Sequence, residues 1–168
     1  MASVEGIIGQ VNAYNGVVDI LYNNAAINRP LRPIWDFSKA EWDDLMMVNF
    51  YSIAMLCAAF GPGMRDRGYG RIINLTSGIS DFPALVTYGV SKAAVDKYTK
   101  DLAFELKGTG VLANYLDPGW LKTDLGGPQA PGEVDSVLPG ALVPALLEND
   151  GLTGQLFRAQ ALRDAEFF

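Results

Sequence analysis

Apolar residues along the chain switch between helical spacing and short unbroken runs. The first helical pattern follows Ser3, a predicted N-cap, and predicts a helix over residues 3–14. Its apolar positions are Val4, Ile7, Ile8 and Val11. Asn15-Gly16 ends this helix, and the β-branched, mostly apolar run Val17–Asn23 predicts a parallel strand that is covered on both faces.

The middle of the chain repeats this order of helix and strand. Ser38 and Glu41 have the spacing of a capping box, and a long apolar helix follows, which Gly61–Gly63 is expected to kink or end because it contains a proline. The run Arg71–Leu75 is the next predicted strand. After a loop, helical spacing resumes from Tyr88 to Leu106.

The C-terminal third of the chain supplies two further strands. Val111–Leu116 is predicted as a strand closed by Asp117-Pro118-Gly119, and Thr153–Phe157 as the last strand. Two prolines should break the helical pattern between them into short pieces. Because strands that alternate with helices specify a parallel sheet, we predict an α/β fold in one domain over residues 1–168. Its truncated Rossmann-like sheet should have about four strands flanked by helices.

Composition and charge indicate a globular domain and argue against several kinds of partner. Of 168 residues, 49% are hydrophobic and 19% are charged, which is typical of a packed globular domain. The net charge of −6, with no run of Lys or Arg, argues against nucleic acid and anionic membranes as partners. The chain has no His, which excludes imidazole bases and most zinc sites, so no metal site is predicted.

Three local features favour a cytoplasmic location. The first residues show no cationic region followed by an apolar core, so no signal peptide is predicted. The apolar run Phe50–Phe60 is shorter than the ~20 residues that span a bilayer and is interpreted as a buried helix segment. The single Cys57 is interpreted as a buried hydrophobe, and its lack of a partner fits a reducing compartment.

Two side chains at the start of the Tyr88–Leu106 pattern have a spacing that suits proton transfer. Tyr88 and Lys92 lie four residues apart and therefore share one face of the helix. An ammonium near a phenol favours the phenolate and lowers a tyrosine pKa that begins near ~10, so Tyr88 can exchange a proton with a carbonyl or an alcohol. Ser77, after the preceding strand, can orient the substrate oxygen, and Asn49 can anchor a water that links Lys92 to solvent.

Each of these residues also has an ordinary structural explanation. A Tyr-x-x-x-Lys pair occurs on many exposed helices, a buried Asn is commonly a hydrogen-bonded core amide, and a Ser after a strand commonly belongs to a turn. The joint order of the four residues along the chain is what indicates a site.

This order of motifs resembles that of the short-chain dehydrogenase/reductase family. Asn23-Asn-Ala-Ala26 is similar to the family's Asn-Asn-Ala-Gly motif, which stabilises the central sheet and borders the adenosine side of the cofactor. By resemblance, the catalytic tetrad comprises Asn49, Ser77, Tyr88 and Lys92. The resemblance implies NAD or NADP as the cofactor, contacted by Asn23, Tyr88, Lys92, Pro118, Gly119 and Thr123. The region from Gly126 to Phe157 looks most like small carbonyl-reductase-type members.

The sequence departs from the family at its N-terminal side. The family opens with a strand, a Thr-Gly-x-x-x-Gly-x-Gly turn and a helix whose N-terminus holds the pyrophosphate, and no such turn occurs in these 168 residues. Gly108-Thr-Gly110 follows a helix and precedes a strand, which is the wrong context. We therefore expect the chain to represent the C-terminal two-thirds of the family fold, with dinucleotide binding impaired or lost. A short loop before Tyr88 leaves Ser80 as a second candidate for the catalytic serine.

In the family, a strand that this sequence lacks pairs with the equivalent of Val17–Asn23. Without that strand, Val17–Asn23 is expected to form a bare edge that exposes Val18, Ile20 and Leu21. Leaving each of these side chains in water rather than buried costs ~1.5–3 kcal/mol of folding free energy. A second copy of the chain, a rearranged N-terminal helix or a different subunit would cover this edge. We predict a homo-oligomer, a dimer or a tetramer, because the resemblance implies association through the long helix of Asn49 and the helix of Tyr88.

Four hypotheses about function remain open. The first is an oxidoreductase for a small carbonyl or alcohol, with a cofactor site completed at an oligomer interface or by a separate chain. The second is a cofactor-free binding or assembly protein on the same scaffold. The third is a non-redox acid–base enzyme that uses Tyr88, Lys92 and Ser77, for dehydration or retro-aldol cleavage. The fourth is that the sequence is part of a longer, ordinary reductase.

Overall fold

The computed structural model describes residues 3–79, 83 and 85–165 of the chain. Its strands form one parallel sheet in the order β1-β2-β3-β4, which are Ile20–Asn23, Gly70–Leu75, Val111–Asp117 and Leu156–Arg158. Helices lie between the strands along the chain. The predicted α/β class and the four-stranded parallel sheet are confirmed.

Within the described residues, four α-helices accompany the sheet: α1 (Val4–Tyr14), α2 (Lys39–Met46), α3 (Ser52–Arg67) and α4 (Val86–Glu105). A π-helical turn over Met47–Tyr51 joins α2 to α3 without a break. Short stretches of 3-10 helix occur at Ile34–Asp36, Val134–Val137, Gly140–Ala145 and Ala159–Ala161. The prediction that prolines break the C-terminal helical pattern into short pieces is therefore confirmed.

Local hydrogen bonds explain where the helices begin and end. The Ser3 hydroxyl accepts a hydrogen bond from the backbone N–H of Gly6 at the start of α1. Ser38 and Glu41 form the predicted capping box at the start of α2. Helix α3 ends at Gly68, whose φ of +71° lies in the left-handed region that glycine tolerates.

The sequence predicts that Gly61–Gly63 kinks or ends the long helix, and the helix does not end there. Helix α3 continues to Arg67 with Pro62 inside it. A proline in a helix removes one backbone hydrogen bond. Phe60 and Met64, on either side of Pro62, are buried, so tertiary packing of this helix outweighs the local loss.

An apolar layer covers each face of the sheet. Helices α3 and α4 bury one cluster, formed with strand residues, that comprises Ile53, Cys57, Met64, Ile72, Val95, Ala103, Leu106, Val111 and Ala113. The 3-10 segments bury a second cluster on the other face, which comprises Ile73, Leu116, Ala145, Phe157 and Ala159. Cys57 is buried as predicted, and burial raises the pKa of its thiol to about 12.

The continuous helix Lys39–Arg67 has 29 residues and is long and apolar enough to cross a membrane. Its residues Ile53, Cys57 and Met64 nevertheless pack into the core beside the sheet. One face of the predicted segment Phe50–Phe60 is therefore buried, while Tyr51, Ala58 and Ala59 are exposed.

Strand β1 lies at one edge of the described sheet. The expectation that Val18, Ile20 and Leu21 are all exposed is correct for Ile20, which is 43% exposed. Val18 and Leu21 are instead partly buried, because both pack against the core cluster on the α3 and α4 side. Tyr22, by contrast, is 37% exposed, and its hydroxyl donates to the carbonyl of Ala141 at 2.6 Å.

Candidate active site

A cavity of about 1250 Å³ opens at the carboxyl ends of β1, β2 and β3. The segments that follow the three strands form much of its wall, which is the edge where open α/β sheets bind ligands. Predicted site residues in this wall are Ser77, Tyr88, Lys92, Pro118, Gly119 and Thr123. The structure therefore brings together residues that are up to 46 positions apart in the sequence (from Ser77 to Thr123).

Short segments and one helix turn position the proton-handling side chains. Ser77 comes two residues after the end of β2, and Tyr88 lies in the first turn of α4 with Lys92 one turn further on. All three line the same cavity. The alternative serine, Ser80, lies outside the described residues.

Lys92 is buried, with 2% of its surface exposed. Its Nζ donates a hydrogen bond of 2.8 Å to the carbonyl of Leu75 and lies 5.6 Å from the centroid of the Tyr88 ring. Burial lowers the pKa of Lys92 to about 8, while the charge of Asp96 acts in the opposite direction. Lys92 therefore remains mainly protonated at neutral pH but close to its midpoint.

The expectation that Lys92 lowers the pKa of Tyr88 is not met in this structure. Burial, and secondarily the charge of Asp117, raises the pKa of Tyr88 to about 12. Desolvation dominates because a phenolate loses more hydration than a phenol when it is removed from water. At neutral pH Tyr88 is therefore a phenol, which can donate a proton to an oxygen in the cavity.

Asn49 lies in the π-helical turn and is fully buried. Its Oδ1 accepts from the N–H of Ile27 at 2.8 Å, and its Nδ2 donates to the carbonyl of Ile27 at 2.9 Å and to the hydroxyl of Ser91 at 3.0 Å. Ser91 in turn donates to the carbonyl of Tyr88 at 2.7 Å. The Asn49 side chain therefore fixes the segment after β1 to the first turn of α4, behind the cavity wall.

Asn23 also lies behind the wall, since 5% of its surface is exposed and it does not line the cavity. Its Nδ2 donates to Oδ1 of Asn74 at 2.8 Å, and Asn74 donates to the hydroxyl of Thr99 at 2.9 Å. These bonds join β1 to β2 and α4, which agrees with a role in stabilising the sheet. The neighbouring Asn24, Ala25 and Ala26 line the cavity instead.

Sequence reasoning missed two acidic residues near Tyr88 and Lys92. Asp117 lines the cavity, and its Oδ1 accepts a hydrogen bond of 2.9 Å from the N–H of Gly119. Asp96, half-buried on α4, accepts a hydrogen bond from the hydroxyl of Thr76. The spacing of four residues between Lys92 and Asp96 was the available signal.

The outer part of the cavity wall is apolar. It includes Trp120, Leu121, Leu125 and Val134. The Trp120 indole N–H donates to the carbonyl of Gly126 at 2.8 Å, which holds this loop in a turn. Within residues 3–79, 83 and 85–165, no group of three or more Cys, Asp or Glu side chains is placed to hold a metal ion.

The sequence is similar to that of known proteins of one family. The profile described as short chain dehydrogenase matches residues 1–133 of the chain. Nodulation protein G of Azospirillum brasilense is 37% identical over 125 residues, which are 73% of this chain and 50% of that protein. Gluconate 5-dehydrogenase of Gluconobacter oxydans (strain 621H) is 37% identical over 112 residues, which are 66% of this chain and 43% of that protein.

The fold is similar to that of solved dehydrogenase structures. The crystal structure of a gluconate 5-dehydrogenase from Burkholderia cenocepacia J2315, in complex with NADP and tartrate, is 28% identical with a TM-score of 0.82. The match covers 97% of this chain and 71% of that chain. The chain spans about half the length of the curated relatives it matches.

Proposed function

The chain belongs to the short-chain dehydrogenase family, and we propose that it carries the proton-transfer half of an oxidoreductase that interconverts a small carbonyl and an alcohol. In this proposal Tyr88 exchanges the proton, Ser77 orients the substrate oxygen, and Lys92 supports Tyr88. Asn49 keeps α4 in place relative to the segment after β1. NAD or NADP serves as the cofactor, as it does in solved members of the family.

One observation carries the proposal: Ser77, Tyr88 and Lys92 line a single cavity at the carboxyl edge of the sheet. Exposed surface residues with the same spacing would not converge in this way. The apolar part of the wall around Trp120 and Leu121 suits the carbon skeleton of a substrate, while the polar Lys92 is buried.

The residues present fit the nicotinamide end of a dinucleotide. The Lys92 ammonium has three N–H donors, and in the described part of the chain one of them is used, by the carbonyl of Leu75. The other two remain available for hydroxyl groups such as those of a ribose. Pro118, Gly119 and Thr123 line the same cavity beside it. When bound, the nicotinamide supplies or accepts the hydride.

The chain's own residues then handle the proton. With its pKa raised to about 12, Tyr88 holds a proton on Oη at neutral pH and can donate it to a carbonyl oxygen as that oxygen gains negative charge. The reverse direction begins from the phenolate, which burial and the charge of Asp117 disfavour at neutral pH.

The proposal is tested by substitution of Tyr88 by phenylalanine. We expect Tyr88→Phe to reduce NADH- or NADPH-dependent turnover of small carbonyl compounds by roughly 10²–10⁴-fold, because the proton donor is lost while the ring remains. Tyr14→Phe is the matched control, since Tyr14 is 94% exposed on α1, outside the cavity wall. Retention of parental turnover in Tyr88→Phe would contradict the assigned role.

Cofactor affinity and assembly are tested with a polypeptide of these 168 residues. We expect it to bind NADH and NADPH weakly, because its sequence has no glycine-rich turn before a helix to hold the pyrophosphate. Because β1 forms an edge with Ile20 and Tyr22 exposed, we also expect a homo-oligomer that covers this edge. Saturable micromolar binding in a nucleotide titration, or a monomeric mass in light scattering, would oppose these two expectations respectively.

A further inference from the structure

The end of strand β2 contacts two charged side chains of helix α4. The carbonyl of Leu75 accepts a hydrogen bond of 2.8 Å from Nζ of Lys92. The next residue, Thr76, donates its hydroxyl proton to Oδ1 of Asp96. Lys92 and Asp96 are four positions apart on α4, so their side chains lie one turn apart on the same face, and both point toward the end of β2.

Lys92 has an unusual environment for a cation. It is 2% exposed, and its acceptor in the described part of the chain is a neutral carbonyl. Lys92 and Asp96 do not form an ion pair in direct contact. A buried ammonium without a nearby anion tends to lose its proton, because the charged form gives up more hydration energy.

Three charged groups and one hydroxyl surround Asp96. Lys92 and Lys100 lie one turn before and one turn after it on α4, and Asp117 lies at the end of β3. The neutral Thr76 hydroxyl, just after β2, donates to Asp96. Lys100 is exposed and lies over the Tyr115 ring, with Nζ 5.6 Å from the centroid. Asp96 is thus the anion on the Lys92 face of α4, and the Thr76 hydroxyl fixes the direction of its carboxylate.

We propose that Asp96 is a positioning residue whose carboxylate, fixed by Thr76, keeps Lys92 protonated in its buried place beside Tyr88. This inference rests on the proposed function for the use of that charge, because Lys92 supports Tyr88 as an ammonium. Two separate hydrogen bonds support it. The last residue of β2, Leu75, binds Lys92, and the next residue, Thr76, binds Asp96. Burial lowers the pKa of Lys92, and the nearby negative charge of Asp96 opposes that effect.

The test is Asp96→Asn, which removes the charge but keeps an oxygen that can accept from Thr76. The protonation of Lys92 is followed by NMR of protein labelled with ¹³C-lysine, from the pH dependence of its Cε signal, assigned by its loss in Lys92→Met. The parent should titrate with a pKa of about 8. In Asp96→Asn we expect the pKa of Lys92 to fall by about 1 unit, since loss of a neighbouring opposite charge favours the neutral form.

Two variants serve as controls. Asp101→Asn removes an exposed acid from the same helix, where Asp101 pairs with Lys97, and should leave the Lys92 titration unchanged. Asp96→Glu keeps the negative charge and should keep the Lys92 pKa close to that of the parent. An Asp96→Asn titration that coincides with those of Asp101→Asn and the parent overturns the proposal.

This measurement needs neither cofactor nor substrate, so it gives an answer even if the chain shows no turnover. Where turnover is present, Asp96→Asn should lower the rate near pH 8 and regain the parental rate at lower pH, where Lys92 is protonated again. A rate loss of equal size at every pH would indicate a merely structural role and would overturn the proposal. Absence of turnover in the parent would instead count against the proposed function.

Discussion

Arg71 is a buried cation far from the candidate active site, and its removal tests what holds the opposite end of the sheet together. It is the second residue of β2 and is 1% exposed. Its guanidinium donates two hydrogen bonds to the carbonyl of Leu147 (3.0 and 2.6 Å) and one to Oδ1 of Asn149 at 2.8 Å. It also donates to the carbonyls of Gly70 at 2.8 Å and Gly110 at 3.1 Å. These bonds join β2 to the turn before β3 and to the segment after the 3-10 helix Gly140–Ala145.

We expect Arg71→Met to lower the free energy of unfolding by about 2–4 kcal/mol. Methionine keeps much of the aliphatic volume but leaves the carbonyls of Gly70, Gly110 and Leu147 and Oδ1 of Asn149 without this donor. Gly70 is buried, Gly110 and Leu147 are partly buried and Asn149 is exposed, so we expect a loss of ~0.5–1.5 kcal/mol for each acceptor. Removal of a buried charge offsets part of this loss, because its desolvation cost disappears. The loss should exceed the gain, since the arginine compensates its desolvation with five hydrogen bonds.

The assay is urea unfolding followed by circular dichroism and tryptophan fluorescence. Arg65→Met is the matched control, because the Arg65 side chain is 56% exposed and pairs with its neighbour Asp66, so its loss should change stability by less than ~0.5 kcal/mol. If Arg71→Met is as stable as Arg65→Met, the hydrogen bonds of Arg71 do not stabilise the fold and the reasoning fails.

Two further predictions concern Lys92 and the turn before β3. Burial lowers the pKa of Lys92 from 10.5 to about 8, so the folded state binds fewer protons than the unfolded state between these values and stability rises with pH across that window. Lys92→Met should therefore raise the free energy of unfolding near pH 7 by ~1–2 kcal/mol, a value already reduced by the lost hydrogen bond to Leu75. Urea unfolding should show that this gain vanishes toward high pH. An equal gain at all pH values would contradict the prediction. Gly110 and Gly108 both have positive φ, but an added Cβ would lie 2.2 Å from the carbonyl oxygen of Gly68 at Gly110 and would meet nothing within 4 Å at Gly108. Thermal unfolding should therefore show a larger loss for Gly110→Ala than for Gly108→Ala, by about 2 kcal/mol or more, and equal losses would refute the steric argument.

Much of the fold follows from local patterns. The capping residues Ser3 and Ser38 begin the helices that they predict, and alternating helices and strands give the parallel sheet. Element boundaries were less predictable, because tertiary packing decided them. Helix α3 passes through Pro62 since its flanking residues are buried, and β1 is shorter than the apolar run that predicted it.

The sequence analysis predicted residues for the candidate site but not its electrostatics, and Asn23 and Asn49 of that prediction lie behind the cavity wall. Order and spacing along the chain identify Ser77, Tyr88 and Lys92, and the structure brings them to one cavity. The hydrogen bonds of the Asn49 side-chain amide to Ile27 and Ser91 could not be predicted from the sequence, because these residues are 22 and 42 positions away. Such partners are brought together only when the chain folds.

The sequence by itself therefore determined the class of fold, the family and the candidates for proton transfer, because these depend on residue type and on spacing along the chain. Only the tertiary structure decided the pKa values of Tyr88 and Lys92, since burial and the charges of Asp117 and Asp96 set them. Desolvation and Coulomb interactions depend on distances through space, and distances between remote segments exist only in the folded chain.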